Sequence, residues 1–257
     1  VTNLHHAERD EYGAPTTSNT LIMSDLSSRI AQNVAEVRGR IAEAAGRAGR
    51  NADEITLVAV TKYVGPEVAR ALVQAGCRTL GESRPQHLEE MARSLDDLPV
   101  DWHMIGQLQR NKVRRTLPLI KMIESVDSPR LIEAIDRIAG ELSIRVPILL
   151  EVNVSGESAK HGFAPDEIEP HLEDLARLSN VEPRGLMCMA GLAGGPDDAA
   201  RDFARLFQLR ERLRANCPPS ITLDELSMGM SGDFEAAIGE GSTIVRVGTA
   251  LLSGVLR

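Results

Sequence analysis

Residues Ile55 to Pro66 read Ile-Thr-Leu-Val-Ala-Val-Thr-Lys-Tyr-Val-Gly-Pro. A short, β-branched apolar run stops at Thr61-Lys62, and Pro66 then opens a helical pattern that Gly76 closes. An unbroken apolar run of this length suits a strand buried on both faces. Proline inside the helix start and glycine past its end is the expected asymmetry of helix termini. Outward from this strand–helix unit, further strands read at Thr79–Gly81, Trp102–Gly106, Lys121–Val126, Pro147–Val154, Arg184–Ala190, Leu223–Met228 and Thr243–Gly248, with the first at Ile55–Thr61. Helical patterns stand between them. Ser128-Pro129 leads into Leu131, Ile135, Ile138 and Leu142; Pro165, Asp166 and Glu167 open another; Phe203, Leu206, Phe207 and Leu213 mark a third.

Eight strands alternating with helices predict an α/β fold, a single (β/α)8 TIM-type barrel. An open doubly wound sheet is disfavoured because Thr61–Pro66 carries one glycine, not a dinucleotide fingerprint. Only Leu251–Arg257 follows the last strand, so the helix due there is missing. The helical period of Leu26, Ile30, Val34, Val37 and Ile41 predicts an N-terminal helix that packs on the barrel in its place. Residues 1–24 are polar and read as a flexible, dispensable tail, leaving 25–257 as the barrel domain. Three glycines in Gly191–Pro196 suggest a mobile connection after strand six.

Composition narrows the function classes. The chain has 257 residues, 42% hydrophobic and 26% charged, close to ordinary globular proteins. A net charge of -8 argues against nucleic acid. No apolar run reaches the roughly 18 residues of a membrane span, and Val1–Thr20 lacks the apolar centre of a signal peptide. Cys77, Cys188 and Cys217 include no C-x-x-C pair, which removes a disulfide framework or a cysteine zinc site; a cytoplasmic setting is expected. The histidines show no metal-ligand spacing, so no metal is expected. Arg110, Lys112, Arg114 and Arg115 read as a solvated helical face.

Functional groups of such barrels lie at the C-terminal ends of strands. Lys62 follows Leu57-Val58-Ala59-Val60 and would enter the barrel mouth, where desolvation favours the neutral amine that attacks a carbonyl. The competing reading pairs it with Glu82 at the rim. After strand seven, Gly229-Met230-Ser231-Gly232-Asp233 leads into a short helix, and strand eight adds Gly248-Thr249. Gly-plus-hydroxyl sites on adjacent strands suit a phosphate, although Ser231 could serve only as a helix cap. A lysine facing a phosphate cup points to a phosphorylated aldehyde or ketone, either pyridoxal 5′-phosphate (PLP) or a sugar phosphate.

Ala59-Val60-Thr61-Lys62, Gly81-Glu82, Trp102-His103-Met104-Ile105-Gly106, Glu151-Val152-Asn153, Ser227-Met228-Gly229-Met230-Ser231-Gly232-Asp233 and Arg246-Val247-Gly248-Thr249 occur in that order. Together they resemble the pyridoxal phosphate homeostasis protein family, a barrel similar to the N-terminal domain of alanine racemase. The resemblance implies PLP held by a Schiff base to Lys62, phosphate on Ser231, Gly232, Gly248 and Thr249, and Arg246 against the pyridine nitrogen. It also implies a non-catalytic carrier that buffers PLP and supplies PLP-dependent apo-enzymes; a monomer is expected. Ser83 stands where the family commonly has asparagine, and Gln107 where it has histidine, so one cofactor contact becomes a shorter hydroxyl. An amino-acid racemase is the alternative, but it needs an acid–base group opposite the lysine. The only tyrosines are Tyr12 and Tyr63, and strand alternation would turn Tyr63 away from Lys62. A Schiff-base aldolase ranks third, since no charged cluster is read around Lys62.

Overall fold

The computed structural model describes residues 17–157, 161–191 and 195–255. The strands are β1 (Thr56–Val60), β2 (Thr79–Glu82), β3 (Asp101–Met104), β4 (Met122–Val126), β5 (Val146–Glu151), β6 (Val181–Met187), β7 (Glu225–Ser227) and β8 (Ile244–Val247). All pair in parallel, each with its sequence neighbour, and β1 closes on β8 with Thr56 opposite Ile244 and Ala59 opposite Val247. The expected (β/α)8 barrel is therefore the fold, and each strand read from the sequence has its counterpart.

The helices are α1 (Thr17–Arg47), α2 (Pro66–Gln74), α3 (Pro85–Ser94), α4 (Val113–Thr116), α5 (Pro129–Leu142), α6 (Leu172–Arg177), α7 (Pro196–Asn216) and α8 (Phe234–Gly239). Helix α1 buries Ile30, Val34, Val37, Ile41, Ala44 and Ala45 in one cluster with residues of α2, α8 and β8. It thus covers the barrel beside β8, after which no helix follows among the described residues. Asn33 ties it to the chain end, donating to the carbonyls of Leu251 at 3.0 Å and Ser253 at 2.9 Å.

Three differences from the sequence reading have physical causes. Helix α1 starts at Thr17, so 17–24, read as tail, belongs to it; residues 1–16 lie outside the described residues. Pro165–Glu167 does not start α6, because Glu167 turns back to accept from the Ala164 N–H at 2.8 Å, and a 3-10 turn at Glu169–His171 precedes the helix. Helix α3 has few apolar positions to give a period, burying Pro85, Leu88 and Met91. The mobility expected in Gly191–Pro196 falls mostly on residues 192–194, outside the described residues. No helix among the described residues is long and apolar enough to cross a membrane.

Candidate functional site

The inward positions of the barrel are apolar at one level and charged above it. Val58, Met122, Leu149, Met187 and Ile244 form the inner apolar cluster. Two residues along from Met122 and Ile244, alternation brings Glu124 and Arg246 to the same inner face. Glu124 is fully buried and Arg246 is 5% exposed. The Glu124 carboxylate meets His103 Nδ1 at 2.6 Å through Oε1 and accepts the Ser227 hydroxyl at 2.6 Å through Oε2. Arg246 donates from Nη1 to Ser227 Oγ and from Nη2 to the Cys188 carbonyl at 2.8 Å, with Nη1 3.8 Å from Glu124 Oε2. Burial by itself pushes the Glu124 carboxyl up, but His103, Arg246 and the Ser227 hydrogen bond outweigh it and hold the group below its ordinary value. Glu151, at the end of β5, goes the other way. Burial and the charge of Asp127 raise it, against the pull of Arg246 and His161.

The loops after β7, β8 and β1 meet at the C-terminal end of the barrel. Ser231 Oγ accepts the N–H groups of Gly248 at 3.1 Å and Ala250 at 3.3 Å, which joins the β7 loop to the β8 loop. It is not a helix cap; Asp233 occupies that position and folds its carboxylate back onto the Met230 N–H at 2.5 Å. A side chain at Gly248 would touch Val60, two residues before Lys62, while Gly232 faces open space. Among the described residues, the backbone N–H groups of Ser231, Gly232 and Thr249 donate to no protein acceptor. Three donors left unspent beside a half-buried serine make a cradle for an anion with several oxygens.

Lys62 is half-buried, at the turn just past β1. Its carbonyl accepts Arg84 Nη2 at 3.1 Å, and its ammonium has no carboxylate partner among the described residues. The pairing with Glu82 is absent because Glu82 lies between the sheet and α3. There it accepts the Thr61 hydroxyl at 2.6 Å and faces His87 Nδ1 at 3.0 Å. Tyr63 does not turn away from the lysine. Its ring centroid is 5.0 Å from Lys62 Nζ, because alternation ends with β1 at Val60 and the next residues turn. Tyr63 is 72% exposed, and its ring stands beside the Lys62 ammonium.

Ser83 follows β2 with its backbone packed against Gly106, where any side chain would collide. Gln107 is exposed, 3.5 Å from Asp127 and 3.4 Å from His161. The basic helical face is solvated and spent on neighbours: Arg115 pairs with Glu89 at 2.9 Å and Arg114 with Glu141. The sequence reading missed Glu124 altogether. An acidic residue inside Met122-Ile123-Glu124-Ser125-Val126 is the one signal that could have marked it.

The chain is similar to several known proteins. The family model described as alanine racemase, N-terminal domain, matches residues 28–254. The pyridoxal phosphate homeostasis protein of Aquifex aeolicus is 38% identical over 220 residues, covering 86% of this chain and 96% of that protein. The structure of PipY from Synechococcus elongatus, solved with PLP bound, aligns with a TM-score of 0.77 at 34% identity, covering 86% of this chain and 99% of PipY. Alanine racemase of Clostridium difficile aligns with a TM-score of 0.67 at 15% identity, covering 87% of this chain and 56% of the racemase, a likeness of fold alone. With a barrel matched over nearly its whole length, the chain belongs to the pyridoxal phosphate homeostasis protein family, within the alanine racemase N-terminal domain group.

Proposed function

We propose that this protein binds pyridoxal 5′-phosphate reversibly and acts in its homeostasis, buffering the cofactor and supplying it to PLP-dependent apo-enzymes. The observation that carries the reading is the cradle of unspent N–H groups at Ser231, Gly232 and Thr249, in the loops after β7 and β8, the second of which pairs with the strand that Lys62 follows. When bound, the group supplies an aldehyde carbon and an electron-withdrawing ring. The chain's residues fit it by type. Ser231, Gly232 and Thr249 offer hydrogen-bond donors to phosphate, and Gly248, whose N–H is held by Ser231 Oγ, joins their two loops; Lys62 offers an amine without a carboxylate partner; Ser83 and Arg246 lie on neighbouring strand ends.

Arg246 also supports a carrier over a catalyst. Two of its five N–H groups are committed to Ser227 and Cys188, and the rest remain to meet a ring nitrogen. A guanidinium stays protonated, so it would donate to that nitrogen and leave it without a proton, weakening the ring as an electron sink. Tyr63 does not supply the second acid–base group of a racemase. Its ring stacks against the Lys62 ammonium, whereas a racemase needs the two groups on opposite faces of the substrate.

The test is the visible spectrum of the purified protein with and without added PLP, followed by borohydride reduction, for wild type and Lys62→Ala. An absorbance band that borohydride fixes covalently in wild type and not in the variant is expected. No uptake by wild type overturns the reading, and rapid alanine racemisation by pure protein overturns its non-catalytic part.

A further inference from the structure

We propose that Glu124 is the positioning residue for Arg246, acting through the Ser227 hydroxyl to hold the guanidinium in the orientation that meets the cofactor ring; this rests on the PLP-binding reading. The three side chains come from β4, β7 and β8 and meet inside the barrel. An ionised carboxylate only accepts hydrogen bonds, so Ser227 spends its single proton on Glu124 Oε2 at 2.6 Å. Its oxygen lone pairs are then turned to Arg246 Nη1, which must donate. The Cys188 carbonyl holds the other end of the fork at Nη2, 2.8 Å away. Orientation of the guanidinium is thereby set at two points, and one of them depends on which way a hydroxyl faces.

Glu124 also supplies the charge. A buried guanidinium needs a counter-ion, and Glu124 Oε2 at 3.8 Å is the carboxylate within ion-pair distance of Arg246 among the described residues. Glu151 feels the same cation but forms no pair with it. His103 completes the site. With Nδ1 facing Glu124 Oε1 at 2.6 Å, it keeps the carboxylate from rotating away from Ser227.

A glutamine at 124 is nearly the same shape and lacks the charge. Its amide nitrogen must face either Ser227 or His103, so a donor replaces an acceptor somewhere in a closed row. If it faces Ser227, the hydroxyl proton loses its acceptor and competes with the Arg246 N–H groups.

The experiment titrates PLP into the full chain by absorbance for wild type, Glu124→Gln, Glu124→Asp, Ser227→Ala, Arg246→Lys and the Ser227→Ala/Arg246→Lys pair. Glu124→Gln and Ser227→Ala are expected to keep borohydride fixation at Lys62 yet bind at least about tenfold more weakly. Their bands should shift in the same sense as that of Arg246→Lys, and Glu124→Asp should recover part of the loss. The double variant should be no weaker than Arg246→Lys alone, because Ser227 then has nothing to position. Wild-type affinity and spectrum in Ser227→Ala, or losses that multiply in the double variant, overturn the proposal. If Glu124→Gln does not fold, the Ser227→Ala and Arg246→Lys set decides alone. Failure of wild type to take up PLP overturns the functional reading and this inference with it, whereas uptake with multiplying losses overturns only the inference.

Discussion

Glu124 and Glu151 stand on neighbouring strands, yet the barrel moves their carboxyls in opposite directions. Glu124 has donors on both oxygens and is held below its ordinary value of 4.5, whereas Glu151 is buried near Asp127 and raised above it. The two have opposite signs in stability. A lowered carboxyl contributes stability above its unfolded value, and that stability is lost as pH falls through the folded one. A raised carboxyl binds its proton more tightly when folded, so stability is greatest below the unfolded value and is lost as pH rises through the folded one. Glu151→Gln removes that loss. Its melting temperature should therefore exceed that of wild type at pH 7 to 8, and the gap should close as pH falls toward 4.5. A constant gap across that range, followed by circular dichroism, would show that Glu151 is not the titrating group.

At the scale of elements, strands were legible and helices only partly so. Parallel strands covered by helices on one side and packed against each other on the other must be apolar throughout, so runs such as Leu57–Val60 and Ile148–Leu150 announce themselves. Helix α3 shows little period because much of its length faces solvent, and α6 is delayed by the Ala164–Glu167 turn. The lysine and the loops of the proposed phosphate cradle could be picked out because each is local, a strand end or a loop of glycines and hydroxyls. The Glu124 network could not. His103 and Ser227 lie 21 and 103 residues from it in sequence, and only barrel closure brings them together. The β6–β7 pairing leaves no room for a side chain at Gly185: any Cβ there would collide with the Glu225 carbonyl of β7. Gly185→Ala should cost on the order of 3 kcal/mol in urea unfolding, with overpacking the cause. A variant as stable as wild type would mean that β6 and β7 part freely.

The whole barrel is stitched from two outer clusters. One joins α1, α2, α3 and α8 to β1, β2 and β8, and the other joins α4 to α7 with β3 to β7. The proposed ligand groups span the seam, since Lys62 and Arg246 belong to β1 and β8 of the first half while Ser231 and Gly232 follow β7 of the second. PLP held at these points would link the start of the chain to its end across the β1–β8 and β7–β8 pairings. A ligand that binds only the folded chain stabilises it by about 2.7 kcal/mol at a concentration 100 times its Kd. For a protein of this size that is roughly a 5–10 °C rise in melting temperature. The same addition to Lys62→Ala should give a smaller rise, because the phosphate cradle remains while the covalent tie is gone. Hydrogen exchange should slow in β1 and β8 together when PLP is present. Protection confined to the β7 and β8 loops would mean that the phosphate is held but the seam is not bridged.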